Sequence, residues 1–171
     1  ERAASDYTLR IGSMATGTNV PVASATGFRS RYVFGRFGAS ALHHFLSYDT
    51  RGSNIVVRAV TENIPTVFGF AASVTYGLAQ PIAQMSVLAS APANRLLVVF
   101  GNGSTAGVFT FNGASAPVLS QTLNAPAGLS FFGAVPLSNG EFHLLAGTPG
   151  SGRSTQFLQY QPSGATYALK A

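Results

Sequence analysis

Eight side chains in this 171-residue chain offer acid–base or metal-binding chemistry near neutral pH: Glu1, Asp6, Asp49, Glu62 and Glu141, with His43, His44 and His143. No two carboxylates stand close in sequence. A glycosidase-type dyad, with carboxyls about 5–10 Å apart around the scissile bond, would have to be assembled by folding, with Asp49 and Glu62 as the pair to consider. Asp49 begins a turn signal, Glu62 falls in a loop and Glu141 starts a strand, which are structural placements. Adjacent His43 and His44 point to opposite faces of a strand, so they cannot readily chelate one ion together. A zinc site needs at least a third protein ligand. Cysteine is absent, which excludes disulfides and thiolate metal sites. No Gly-x-Ser-x-Gly elbow occurs. Gly101-Asn-Gly-Ser-Thr-Ala-Gly107 is glycine-rich but has no Lys and no following helix, so it reads as a hairpin loop rather than a phosphate cradle. Asn102-Gly-Ser104 spells a glycosylation sequon, relevant only on a eukaryotic secretory route. The chain therefore reads as non-enzymatic, with no catalytic residue, metal or cofactor expected.

Recognition chemistry is the better source of hypotheses. Aromatic and amide side chains on loop rims suit carbohydrate or protein surfaces. The candidates are Tyr48, Tyr76, Asn102, Asn112, Tyr160 and Gln161. The net charge is +5, from ten basic and five acidic residues. Arg29, Arg31 and Arg36 come nearest to a cluster, interleaved with Tyr32, Phe34 and Phe37. That stretch reads as a strand with Arg outward and aromatics inward, and no nucleic-acid partner is expected.

These residues must be positioned by a scaffold of unusual composition. Charged residues make up only 9% of the chain and hydrophobic ones 46%, against roughly 25% charged in ordinary soluble domains. Much of the surface is then neutral or buried against a partner. No apolar run approaches the roughly 20 residues of a membrane-spanning helix; the longest is Leu96–Phe100. The start at Glu1, the absence of Cys and a surface rich in Ser, Thr, Gly and Ala favour an exported protein: extracellular, cell-surface or periplasmic.

Short β-branched and aromatic runs, split by Gly, Pro, Asn and Ser, imply an all-β fold. Thirteen strands are predicted: Tyr7–Ile11, Arg31–Phe37, His43–Tyr48, Ile55–Val60, Thr66–Ala71, Ala83–Ala89, Leu96–Phe100, Gly107–Phe111, Val118–Leu123, Leu129–Val135, Glu141–Ala146, Thr155–Tyr160 and Ala165–Leu169. Self-similarity runs through them. Met85–Gly101 matches Phe131–Gly147 at an offset of 46, and an earlier copy beginning at Tyr32 fits at 53, without gaps. The same offsets carry Ile55-Val-Val onto Val108-Phe-Thr, and place Thr66-Val-Phe in the fourth-strand position. About three tandem repeats result, near residues 31–80, 81–126 and 127–171, with 1–30 as an N-terminal extension or partial blade. Four antiparallel strands at this period describe propeller-type blades; the alternative is one β-sandwich. A single blade cannot bury both faces, so neighbours must stack on it. Three are too few to close a ring, which predicts a homo-oligomer or a companion chain.

The repeats resemble the FG-GAP/VCBS-type repeats of integrin-like propellers. The resemblance covers residues 32–171 and rests on the second strands His44-Phe-Leu-Ser-Tyr48, Leu97-Val-Val-Phe-Gly101 and His143-Leu-Leu-Ala-Gly147. In that family an adjacent acidic loop holds Ca²⁺. Here the corresponding loops, 37–41, 90–94 and 136–140, contain no Asp or Glu, and calcium needs about six to eight oxygens with carboxylates among them. No bound calcium is expected. The resulting expectation is a structural or interaction module of an exported or cell-surface assembly, acting through subunit contacts. A lectin-like, glycan-binding module and a glycosidase-type enzyme are the alternatives.

Overall fold

The computed structural model describes residues 7–12, 19–25, 30–37, 43–64, 67–88, 95–150 and 155–170. The fold is all-β, and the described residues contain no helix. None is therefore long and apolar enough to cross a membrane. The strands are β1 (Tyr7–Gly12), β2 (Asn19–Ala25), β3 (Ser30–Arg36), β4 (His43–Asp49), β5 (Asn54–Ile64), β6 (Val67–Phe70), β7 (Val74–Gly77), β8 (Ile82–Leu88), β9 (Arg95–Phe100), β10 (Thr105–Thr110), β11 (Val118–Asn124), β12 (Ser130–Pro136), β13 (Phe142–Gly147), β14 (Thr155–Ser163) and β15 (Thr166–Leu169). Each predicted run overlaps one of them; β2 and β7 were not anticipated.

The strands form three antiparallel meanders and a hairpin. The second sheet runs β8-β9-β10-β11 and the third β12-β13-β14-β15. In the first, β3-β4-β5 is completed by β7, which pairs with Asn54–Val57. Thr66–Ala71 is therefore not the fourth strand of the first repeat. The 11-residue β5 outruns its partners, and β6 pairs with its far half, from Val60 to Ile64. The β1–β2 hairpin stands apart from the three sheets, with β2 approaching β6.

The three sheets stack in chain order. Phe37, Leu46, Tyr48, Ile55 and Val57 of the first meet Ile82, Met85, Leu96, Val98, Phe100, Phe109 and Phe111 of the second. The opposite face of the second, with Leu97, Val99, Ala106 and Val108, meets Phe131, Phe142, Leu144, Ala146, Tyr160 and Tyr167 of the third. The middle sheet is thus covered on both sides. This explains Leu96–Phe100: a strand buried on two faces reads as a continuous apolar run rather than an alternation. The first strands of successive sheets lie side by side, β3 by β8 and β8 by β12.

Pairing and burial fix how the repeats correspond. The second strands keep the offsets of 53 and 46: Leu46, Val99 and Leu145 share one face. The gap-free match fails on either side of them. Val33, Gln84 and Gly133 stand opposite those three residues, so the first strands are offset by 51 and 49. Their partners on the third strands are Val57, Ala106 and Phe157, offset by 49 and 51. Hairpin loops of different lengths absorb the changes. A bulge recurs in the first strands of the second and third sheets, at Ala83 and Phe132.

One joint also recurs between sheets. The Ile82 N–H donates to the Gly52 carbonyl at 2.8 Å, and the Phe131 N–H donates to the Gly103 carbonyl at 2.6 Å. In both, the loop after a second strand receives the start of the next sheet. At the second joint a side chain would not fit: Gly103 has φ +68°, and a Cβ there would lie 3.0 Å from that of Ser130.

Candidate functional site

The six predicted recognition residues do not converge. Tyr48 is buried on β4, and its hydroxyl accepts the Met85 N–H at 3.1 Å. Burial, partly offset by that bond and by Arg31, raises its pKa above 10.0. Tyr160 is buried and stacks on Phe142 at 5.2 Å, and burial raises its pKa as well. Tyr76 packs edge-on to Phe111 and donates to the Ala114 carbonyl at 3.1 Å. Asn112 caps the same loop, its Oδ1 accepting the N–H groups of Ala114 and Ser115, both at 2.9 Å. These two residues do meet, as supports of one turn. Asn102 holds another turn, accepting from Ser104 at 3.1 Å and donating to Gln80 at 2.6 Å. Gln161 is exposed on β14. Short polar side chains that bond their own turn serve local structure.

The titratable candidates are similarly placed. Asp49 Oδ1 accepts the Arg51 N–H at 2.8 Å within its turn. Glu62 lies in β5 rather than in a loop. His43 and His44 do take opposite faces: His43 stacks on Phe34 at 5.3 Å in the open, and buried His44 meets Phe37 and Phe111. Gly113, with φ +84°, leaves the space that the His44 ring fills. Glu141 sits in a small polar group, accepting from Gln159 at 2.5 Å and Lys170 at 3.2 Å. The Gln159 bond foremost, then Lys170, holds its carboxyl below the ordinary value. No three metal-ligating side chains gather among the described residues. Of the three loops compared with calcium loops, 37–41 beyond Phe37 and all of 90–94 lie outside the described residues. In the third, Asn139 Oδ1 accepts the Glu141 N–H at 3.1 Å.

Correction is needed for the Arg-rich strand. Arg31 points toward the second sheet with Val33, whereas Tyr32 and Phe34 share the outer face with Arg36. Arg31 and Arg36 are five residues apart, and an odd spacing puts two residues of a regular strand on opposite faces.

What the fold does assemble is an apolar patch at the open end of the stack. On the outer face of the third sheet Val135 stands opposite His143, and Leu145 opposite Phe157. Phe157 is 68% exposed and Val135 45%. The His143 ring meets that of Phe157 edge-on at 6.5 Å. The bulge leaves Phe132 exposed nearby, and the Glu141–Gln159–Lys170 group supplies a polar margin. A contiguous exposed apolar face bordered by polar groups is the usual mark of an interaction surface. A signal for it was available in the sequence. Strand β13 is apolar at Phe142, Leu144 and Ala146 and again at Leu145, a pattern otherwise seen in the doubly covered β9. Comparisons with protein-family models, with curated proteins and with solved structures find no match.

Proposed function

We propose that this chain is a non-enzymatic structural or interaction module of an exported or cell-surface assembly, working through subunit contacts. Its sheets are propeller-type blades resembling degenerate FG-GAP/VCBS-type repeats without the acidic calcium loop. The observation that carries the reading is the open face of the third sheet. Leu145 and Phe157 occupy positions that are buried in the other two sheets, by Leu46 and Val99 and by Val57 and Ala106, yet they remain apolar. Large apolar side chains kept at such positions are stabilised by contact with another surface, about 25 cal/mol for each Å² of apolar area covered. Few charges over the whole chain agree with this.

The test is the mass of the native particle from source cells, measured by light scattering. The expected result is a particle of several chains. A lone chain in the native state overturns the reading. A lectin-like reading draws on the same exposed rings, Phe132 and Phe157, because aromatic faces also stack on sugars. Saturable binding on a glycan array, abolished by Phe157→Ala, would favour it instead.

A further inference from the structure

We infer that the open face of the third sheet is covered by the first sheet of a second copy of this chain. The inference rests on the interaction-module reading and names its partner. Its basis is continuity with the two seams already inside the molecule. In each seam one sheet's forward face meets the next sheet's rear face. The forward-face row Val57, Ala106 and Phe157 is 3%, 0% and 68% exposed. Its neighbours Leu46 and Val99 are fully buried, whereas Leu145 is only partly so. On the rear faces the order inverts. Phe34, Met85 and Ala134 occupy one position, at 50%, 3% and 5% exposure. His43 is exposed where Leu96 and Phe142 are fully buried, while Phe45, at the position of Val98 and Leu144, is buried like them.

The stack therefore ends in two unlike faces: the forward one is apolar at Leu145 and Phe157, and the rear one presents the Phe34 ring beside His43 and Arg36. The surface shaped to cover the forward face is a rear face of the same repeat, and this chain leaves one partly open on its first sheet, at Phe34, His43 and Arg36. Such a contact is heterologous: two different patches meet, and the arrangement closes into a ring if the rotation permits. Propellers hold about four to eight blades, and chains that each supply three sheets reach that range only in pairs.

The seam between the first two sheets also predicts the contact in detail. A Cβ on Gly35 would lie 2.9 Å from Val87 Cγ2. Val135 takes the position of Gly35, and Arg36 that of Val87. Val135 of one copy is then expected against Arg36 of the other.

Sedimentation equilibrium of the purified chain at tens of micromolar tests this. The expected result is the mass of two chains. Phe157→Glu and Phe34→Glu should each weaken pairing about ten-fold or more, with the circular dichroism melting curve unchanged at dilutions where neither the variant nor the parent chain pairs. In this cysteine-free chain, the double variant Val135→Cys, Arg36→Cys should form disulfides between copies under mild oxidation. A pair broken by Phe157→Glu but not by Phe34→Glu is a self-paired third sheet and overturns the inference. A pair broken by neither lies elsewhere and also overturns it. A purified chain that stays single, while the native particle is larger, removes the second copy as occupant and leaves the interaction-module reading intact. A single chain in both settings removes both.

Discussion

In the seam between the first and second sheets, Phe37 and Phe111 meet edge to face at 4.9 Å beside His44, and the Tyr48 hydroxyl reaches the Met85 N–H on the neighbouring edge strand. In the seam between the second and third, the edge strands are met by amides. Gln84 donates to the Ala134 carbonyl at 2.7 Å and accepts the Ala134 N–H at 3.0 Å. Gln121 treats Tyr167 the same way, with both distances 2.8 Å. Both seams face one problem. The terminal strands of a sheet carry backbone groups with no ladder partner, and burying them unpaired is costly. A phenol serves the donor alone in the first seam. A carboxamide carries a donor and an acceptor, as a peptide group does, so it closes both groups of one residue. The equivalent backbone groups of Met85 and Ala134 are thus closed by unrelated residues, Tyr48 and Gln84, from non-equivalent strands.

The largest effects should come from the rings. Phe111→Ala and Phe142→Ala, both at fully buried sites, are each expected to lower the unfolding free energy by about 3–5 kcal/mol in urea titrations. Equal costs would make the seams equivalent in packing and confine their difference to polar closure. That closure is tested next. Gln84→Leu strips two partners from Ala134 and should cost about 1–3 kcal/mol, whereas Tyr48→Phe removes one acceptor and should cost about 1 kcal/mol. Equal losses would break the distinction between amide and phenol.

The smallest effect concerns pH. Burial raises the pKa of Tyr48 in the first seam and of Tyr160 and Tyr167 in the second above the ordinary 10.0. Folding therefore favours the neutral phenols. Their contribution is complete below pH 10 and is lost as pH rises through the folded values. Denaturant midpoints should fall above pH 10, and less steeply in Tyr160→Phe. An unchanged slope in that variant would locate the alkaline loss elsewhere.

The all-β class was legible because short β-forming runs alternate with turn residues, and the second strands kept their register because they form the interior of each sheet. Loop lengths hid the rest. Hairpins of unequal length shifted the first and third strands by two to five residues from a gap-free match. The four-residue β7, Val74-Thr-Tyr-Gly77, is too short and too exposed to carry a pattern. Reading the site failed for a different reason. Tyr48 and Tyr160 look like rim aromatics until strand parity places them inside a seam, and Asn102 and Asn112 look like ligand amides until their turns claim them. That the third sheet's face stays open is not legible in the sequence, because Leu145 and Phe157 are the same kinds of residue that fill a core. Only their position in the last sheet of the stack leaves them uncovered.

The recurring joint bears on how the chain organises itself during synthesis. Each loop carbonyl that receives the next sheet's first N–H, Gly52 for Ile82 and Gly103 for Phe131, belongs to a hairpin completed earlier in the chain. A finished sheet can therefore template the start of its successor. Order is passed from the amino end toward the carboxyl end. Fraying is expected to begin at the outer sheets, because the first and the last each pack in one seam only and the middle sheet packs in both.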